Sequence, residues 1–214
     1  MIIPGYISEY DNEHLTVIAP FSKPWLIEKR EITECEISLT DGRRISPDQR
    51  AKIYATFRDI ADYTGYLPDQ VKALSKYDFI AKTGCNYFSL RDCDMTTAYE
   101  FTLYLIDFCL RNDIPIYGSL LDRAPDVAKY IYMCLLYKKC CITGKKAELH
   151  HVDTVGMGRN RNKIIHLGMR AIPLCREKHI EYHNIGGETF CKKYHVFGIK
   201  LDKKLCEVWN LKGK

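Results

Sequence analysis

Six of the seven histidines lie between residues 150 and 195, and four of them have spacings that can do chemistry. His150 and His151 are adjacent in "AELHHVD", where flanking apolar residues favour a short strand and neighbouring side chains point to opposite faces. His179 and His183 are four apart in "LCREKHIEYH", a spacing that places both imidazoles on one face of a helix. Two helical histidines and one strand histidine form a three-nitrogen shell for a divalent ion with positions left open, as a catalytic metal requires. The second strand histidine then stays off the metal, free to take a proton near neutral pH. The plain alternative is a pair of core histidines beside a chance pair on a helix.

The elements that must position these residues change character along the chain. The first 45 residues alternate apolar and polar in "HLTVIAPF" and "ECEISLTDGRRI", with Asp41-Gly42 as a turn, and are expected to form strands in a hairpin or meander. Ser46-Pro47-Asp48-Gln49 has capping-box spacing and opens a helix running to Gly65. "LPDQVKALSKYDF" gives a shorter helix, and Thr97-x-x-Glu100 is expected to cap an apolar helix over "AYEFTLYLIDFCLRN". Residues 112–125 connect, and Pro125 is expected to open the next helix, "DVAKYIYMCLLYKKC". The last segment, "YHVFGIKLDKKLCEVWNLKGK", suits either a short strand or a helix.

The 214 residues allow one large domain or two small ones, and the net charge of +5 is unevenly spread. Residues 138–214 carry 17 Lys or Arg against 7 Asp or Glu, a formal +10, while residues 1–137 sum to −5. A basic third of this kind points to a polyanion, because phosphate contacts release counterions. No basic start followed by a long apolar run and no membrane-length apolar stretch occurs, so a cytoplasmic protein without a membrane partner is expected. Ten cysteines in such a chain are expected to stay reduced.

"ELHHVD", "PLCREKHIEYH" and the cysteine-bearing "CCITGK" together resemble the His-Asn-His (HNH) endonucleases, over roughly residues 138–190. The resemblance implies a ββα-metal core in which His150, His179 and His183 bind one divalent ion (Mg, Mn, Ni or Zn) and His151 is the general base. It also implies hydrolysis of DNA phosphodiester bonds to 5′-phosphate and 3′-hydroxyl ends. Arg176, at the start of the ligand-bearing helix, could neutralise the scissile phosphate, and Arg159, Arg161 and Lys163 in "GMGRNRNK" either contact the DNA backbone or belong to a solvated loop.

Two features depart from the family. Relatives with a separate structural zinc carry two CxxC pairs, but here Gly144 and Lys178 stand where the second cysteines would be. Two cysteines cannot close a tetrahedral shell, so Cys140, Cys141 and Cys175 are expected in the core. The middle asparagine, which braces the loop after the histidine pair, is also missing. His166 or Arg170 stands near its place.

Residues 46–116 resemble, in pattern, the phage NinB or Orf recombination proteins, through "SPDQRAKIYATFRDIADYTGYLPDQVKALSKYDFI" and "DMTTAYEFTLYLIDFCLRNDIPI". That resemblance implies binding to single-stranded DNA or to a single-strand-binding protein. The acidic balance of this part opposes a phosphate-binding face unless residues such as Arg43, Arg44 and Arg50 cluster locally. Tyr54, Phe57, Tyr63 and Tyr66 can stack on bases, though at helical spacing they also suit a core.

The expected whole is an α+β chain, with a strand-plus-helix recombination domain over 1–125 and an HNH nuclease domain over 126–214. Its substrate is duplex, single-stranded or branched DNA in phage recombination or DNA processing, and cutting both strands would favour a homodimer. The rival is a non-catalytic, zinc-stabilised DNA-binding accessory protein. His151 separates the two: a ligand or idle in the rival, it stays off the metal in the enzyme.

Overall fold

The computed structural model describes residues 3, 5–35, 37, 42–153 and 165–212. Contacts divide the chain into two compact units, Met1–Asp41 and Gly42–Lys214. In the first, β1 (Tyr6–Tyr10) and β2 (Leu15–Ile18) form an antiparallel pair with an irregularity between Ile7 and Glu9; β2 lies in the alternating "HLTVIAPF", whereas β1 precedes both stretches from which strands were expected. A helix, α1 (Pro24–Arg30), follows that the pattern did not announce, and it buries no residue. Of the strand expected at 34–45, residues 36 and 38–41 lie outside the described residues, and the others form no strand beyond an isolated bridge from Arg44 to Asp94.

The second unit is α+β. Its helices are α2 (Pro47–Thr64), α3 (Pro68–Thr83), α4 (Met95–Arg111), the short α5 (Leu120–Arg123) and α6 (Val127–Leu136). Ser46 closes a full capping box with Gln49, and Gly65 ends α2 in the left-handed conformation at φ 78°, which glycine reaches without a Cβ clash. Two expected helix starts move. Asp94, not Thr97, caps α4, since its carboxylate accepts from both the Thr97 amide and hydroxyl and so starts the helix earlier. Asp126 caps α6 in the same way, leaving Pro125 before the cap.

Phe57, Phe79, Phe88 and Phe101 form the aromatic centre between α2, α3 and α4, with ring centroids 5.2 to 6.0 Å apart. Phe57 is therefore core, while Tyr54, Tyr63 and Tyr66 are exposed. One continuous core runs from Ile45 through Leu110, Leu120, Tyr130 and Leu135 to Leu205, so packing crosses residue 125 without a break.

Beyond α6 come β3 (Glu148–His151), β4 (Arg170–Leu174), α7 (Arg176–Ile185), α8 (Gly187–Tyr194), β5 (Ile199–Lys200) and α9 (Lys203–Val208). The C-terminal segment thus contains both a short strand and a helix. The sheet order is β3-β4-β5, all antiparallel, and β3 and β4 followed by α7 make a ββα unit. All ten cysteines are free thiols, and Cys140, Cys141 and Cys175 are buried. Among the described residues, no helix is long and apolar enough to cross a membrane.

Candidate metal centre

β3 pairs with β4 so that His150 faces Ile172 and His151 faces Ala171 across the ladder. Strand alternation then sends the two imidazoles to different surroundings. His150 is 6% exposed and packs against α7, with its ring 4.1 Å from that of Tyr182, 4.8 Å from His179 and 5.0 Å from His183. His151 instead meets His166, Nε2 to Nδ1 at 2.9 Å.

The α7 helix, with Cys175 at its N-cap, brings His179 and His183 to one face, ring centroids 5.0 Å apart. One nitrogen from each of His150, His179 and His183 lies within 4.8 Å of the others. Burial, and then the neighbouring imidazoles of His179, His183 and His151, push the His150 pKa down to about 4 and keep it neutral at pH 7. A neutral imidazole offers the lone pair a metal needs, so the donor set fits a divalent ion of the borderline class.

Outside the histidines, Glu148 completes the arrangement, and the sequence reading missed it. It stands two positions before His150 on β3, and its carboxylate accepts from His179 Nδ1 at 2.9 Å. A carboxylate partner requires the proton on Nδ1, which leaves Nε2 as the donor nitrogen toward the cluster. The i, i+2 spacing Glu148–His150 on a strand is the signal that was there to read.

Arg176 lies beside the cluster but is engaged, 3.4 Å from the same Glu148 carboxylate. Arg170 pairs with Asp153 instead of His151, through its backbone amide at 2.6 Å and its side chain at 2.7 and 2.8 Å. Arg159, Arg161 and Lys163 fall outside the described residues.

The ligand helix is anchored from its far side. Glu181 accepts from Lys178 and Lys193, each at 2.7 Å, and from Tyr194 at 2.8 Å, which ties α7 to α8 and holds the Glu181 carboxyl down to about 2. Gly187 lies where any Cβ would collide with the Tyr182 ring, the ring that backs His150.

A family described as "Putative HNHc nuclease" matches residues 20–213. The chain belongs to this family. Membership of the HNH nucleases accords with the ββα unit and with a divalent metal as cofactor, for which the three histidines are the cluster present among the described residues. No curated protein and no solved structure gives a significant match.

In this family member the three cysteines expected in the core are packed. Cys140 and Cys175 share a small apolar cluster with Ala147, while Cys141 joins the main core. The Thr143 hydroxyl donates to Cys175 Sγ at 3.5 Å.

Proposed function

We propose that the chain is a metal-dependent endonuclease that hydrolyses DNA phosphodiester bonds. His150, His179 and His183 hold one divalent ion (Mg, Mn, Ni or Zn), and His151 is the general base. The observation that carries this reading is the separation of the two neighbouring histidines, His150 in the three-imidazole cluster and His151 against His166. A bound divalent ion supplies Lewis-acid stabilisation of the charge that builds on the phosphate and the leaving 3′ oxygen.

The chain's own groups do the rest. His151 has Nε2 engaged with His166, so Nδ1 is the nitrogen that takes the proton from water. That assignment requires the Nε2–H tautomer, with His151 donating to His166 Nδ1, and His166 thereby takes the bracing place of the missing asparagine. Burial lowers the His151 pKa, which keeps the base unprotonated at neutral pH. Glu148 fixes the ring of His179, and Arg176 adds positive charge beside the cluster for the scissile phosphate. Arg159, Arg161 and Lys163 contact the DNA backbone.

Residues 126–214 carry the cleavage chemistry, and residues 1–125 engage DNA or a single-strand-binding protein, a role supported by the NinB or Orf resemblance. The setting is phage recombination or DNA processing in the host cytoplasm, and a homodimer would place two centres on one duplex.

The test is cleavage of plasmid, single-stranded and branched DNA by the purified chain after chelation, with each of the four ions restored separately. Metal-restored cleavage is the expected outcome. A chain that binds DNA but cuts none of these substrates with any ion supports the zinc-stabilised accessory reading instead.

A further inference from the structure

Far along the sequence from the histidine cluster, α2, α3 and the segment after α3 enclose a cleft of about 290 Å³ lined by Arg50, Tyr54, Lys72, Lys76, Tyr87, Ser89, Leu90 and Arg91. Four of these side chains are cationic and none is acidic. Among the described residues, none of the four has an ion pair within 4.0 Å, although the Arg50 guanidinium donates to the Arg91 carbonyl at 3.5 Å.

Lys76 stands at its centre. The residue is only 6% exposed, but its Nζ is not sealed from solvent, so the buried stem delivers the ammonium into the cleft. Its Nζ lies 4.1 Å from the ring centroid of Tyr87 and 4.9 Å from that of Phe88, and no carboxylate pairs with it. Lys72 sits one turn before it on α3, its Nζ 5.3 Å from the ring centroid of Tyr54. The cleft is therefore a polar cavity with the Lys76 ammonium opening into it, three further cations at its wall, none of the four ion-paired among the described residues, and an exposed tyrosine, Tyr87 at 72%, at its edge.

We propose that this cleft binds a backbone phosphate of the DNA substrate, with Lys76, Lys72, Arg50 and Arg91 supplying the charge. A phosphodiester fits better than a single carboxylate because several cations converge from three parts of the chain and an exposed aromatic ring stands beside them for a neighbouring base. The cleft also gives this acidic part of the chain a local cationic face, since four of the fifteen Lys and Arg of residues 1–137 line it and no acidic residue does. The inference rests on DNA being the substrate, but not on the histidine cluster cutting it.

Binding of a labelled single-stranded 20-nucleotide oligonucleotide to the full chain in EDTA, followed by fluorescence anisotropy across a salt series, reads the site without cleavage. Lys76→Met and the pair Arg50→Gln/Lys72→Gln are expected to weaken binding by about ten-fold or more and to lower the salt slope by about one per cation removed. Lys52→Gln/Lys82→Gln, on α2 and α3 but outside the cleft and ion-paired with Asp48 and Asp78, controls for net charge and should change affinity far less. If Lys76→Met fails to melt cooperatively, the partly exposed Arg50/Lys72 pair carries the test. Wild-type affinity and slope in folded variants overturn the proposal. So does Lys76-dependent binding of inorganic phosphate combined with oligonucleotide binding that ignores these variants, which would make the cleft a free-phosphate site. Failure of cleavage in a chain whose oligonucleotide binding still depends on Lys76 would count against the nuclease reading alone.

Discussion

His151 and His166 face each other at 2.9 Å, Nε2 to Nδ1, across a chain excursion of 15 residues. In the proposed mechanism this contact leaves Nδ1 of His151 for water, which would make His166 a positioning residue. His166→Ala should lower kcat by roughly 10–100-fold while leaving metal content unchanged. His166→Asn, whose amide oxygen can accept the same hydrogen bond, should recover part of the loss. Equal kcat in wild type and His166→Ala would show that the pair is only packing.

Glu148 should matter for metal affinity more than for DNA binding. Because it holds the Nδ1 proton of His179, Glu148→Ala is expected to weaken metal affinity by about 10–100-fold in a chelator-buffered titration. Unchanged metal affinity would mean that packing alone orients His179.

His183 has no role outside the cluster in this account. His183→Ala should therefore leave the fold intact by circular dichroism and reduce bound metal, measured by elemental analysis, to a small fraction of wild type. Full metal content in the variant would refute the ligand set.

The helical half should be sensitive to one ring above all. Phe101 is fully buried and touches Phe57, Phe79, Phe88 and Tyr104. Phe101→Ala should cost about 3–5 kcal/mol in urea unfolding, through lost burial plus the cavity left behind. Tyr77→Ala, at a 65% exposed position on α3, should cost far less.

Asp94 links stability to pH. Burial pushes its carboxyl up, but hydrogen bonds from Thr97 and the start of α4 outweigh burial and hold it below 3.8. A depressed folded pKa gives stability that is present above the unfolded value and lost as pH falls through the folded one. Asp94→Asn keeps a capping oxygen but cannot titrate. Wild type should be the more stable at pH 7, and the gap in urea midpoint should close below about pH 4. A gap constant from pH 7 to pH 2 would contradict this.

The geometry of the site was legible where it followed local periodicity. Four-residue spacing put His179 and His183 on one helical face, and strand alternation separated His150 from His151. His166 was only one of two candidates, because its meeting with His151 depends on how the chain returns after residue 153. Glu148 was readable in principle but hidden by the histidines beside it. The cationic cleft draws residues from positions 50, 72, 76 and 91, and no periodic pattern joins them before α2 and α3 pack. At α4, Thr97 and Glu100 had a capping-box spacing, yet Asp94 won because a carboxylate accepts two hydrogen bonds at once. The helix α1 buries nothing, so it left no apolar stripe to read.

The central claim is that His151 takes the proton while its neighbour holds the metal. The most direct measurement compares wild type with His151→Ala in a single-turnover cleavage assay, with bound metal quantified in the same samples. The account predicts unchanged metal content and a fall in rate of about 10²–10⁴-fold. Cleavage at the wild-type rate, or loss of the metal together with the activity, would contradict it.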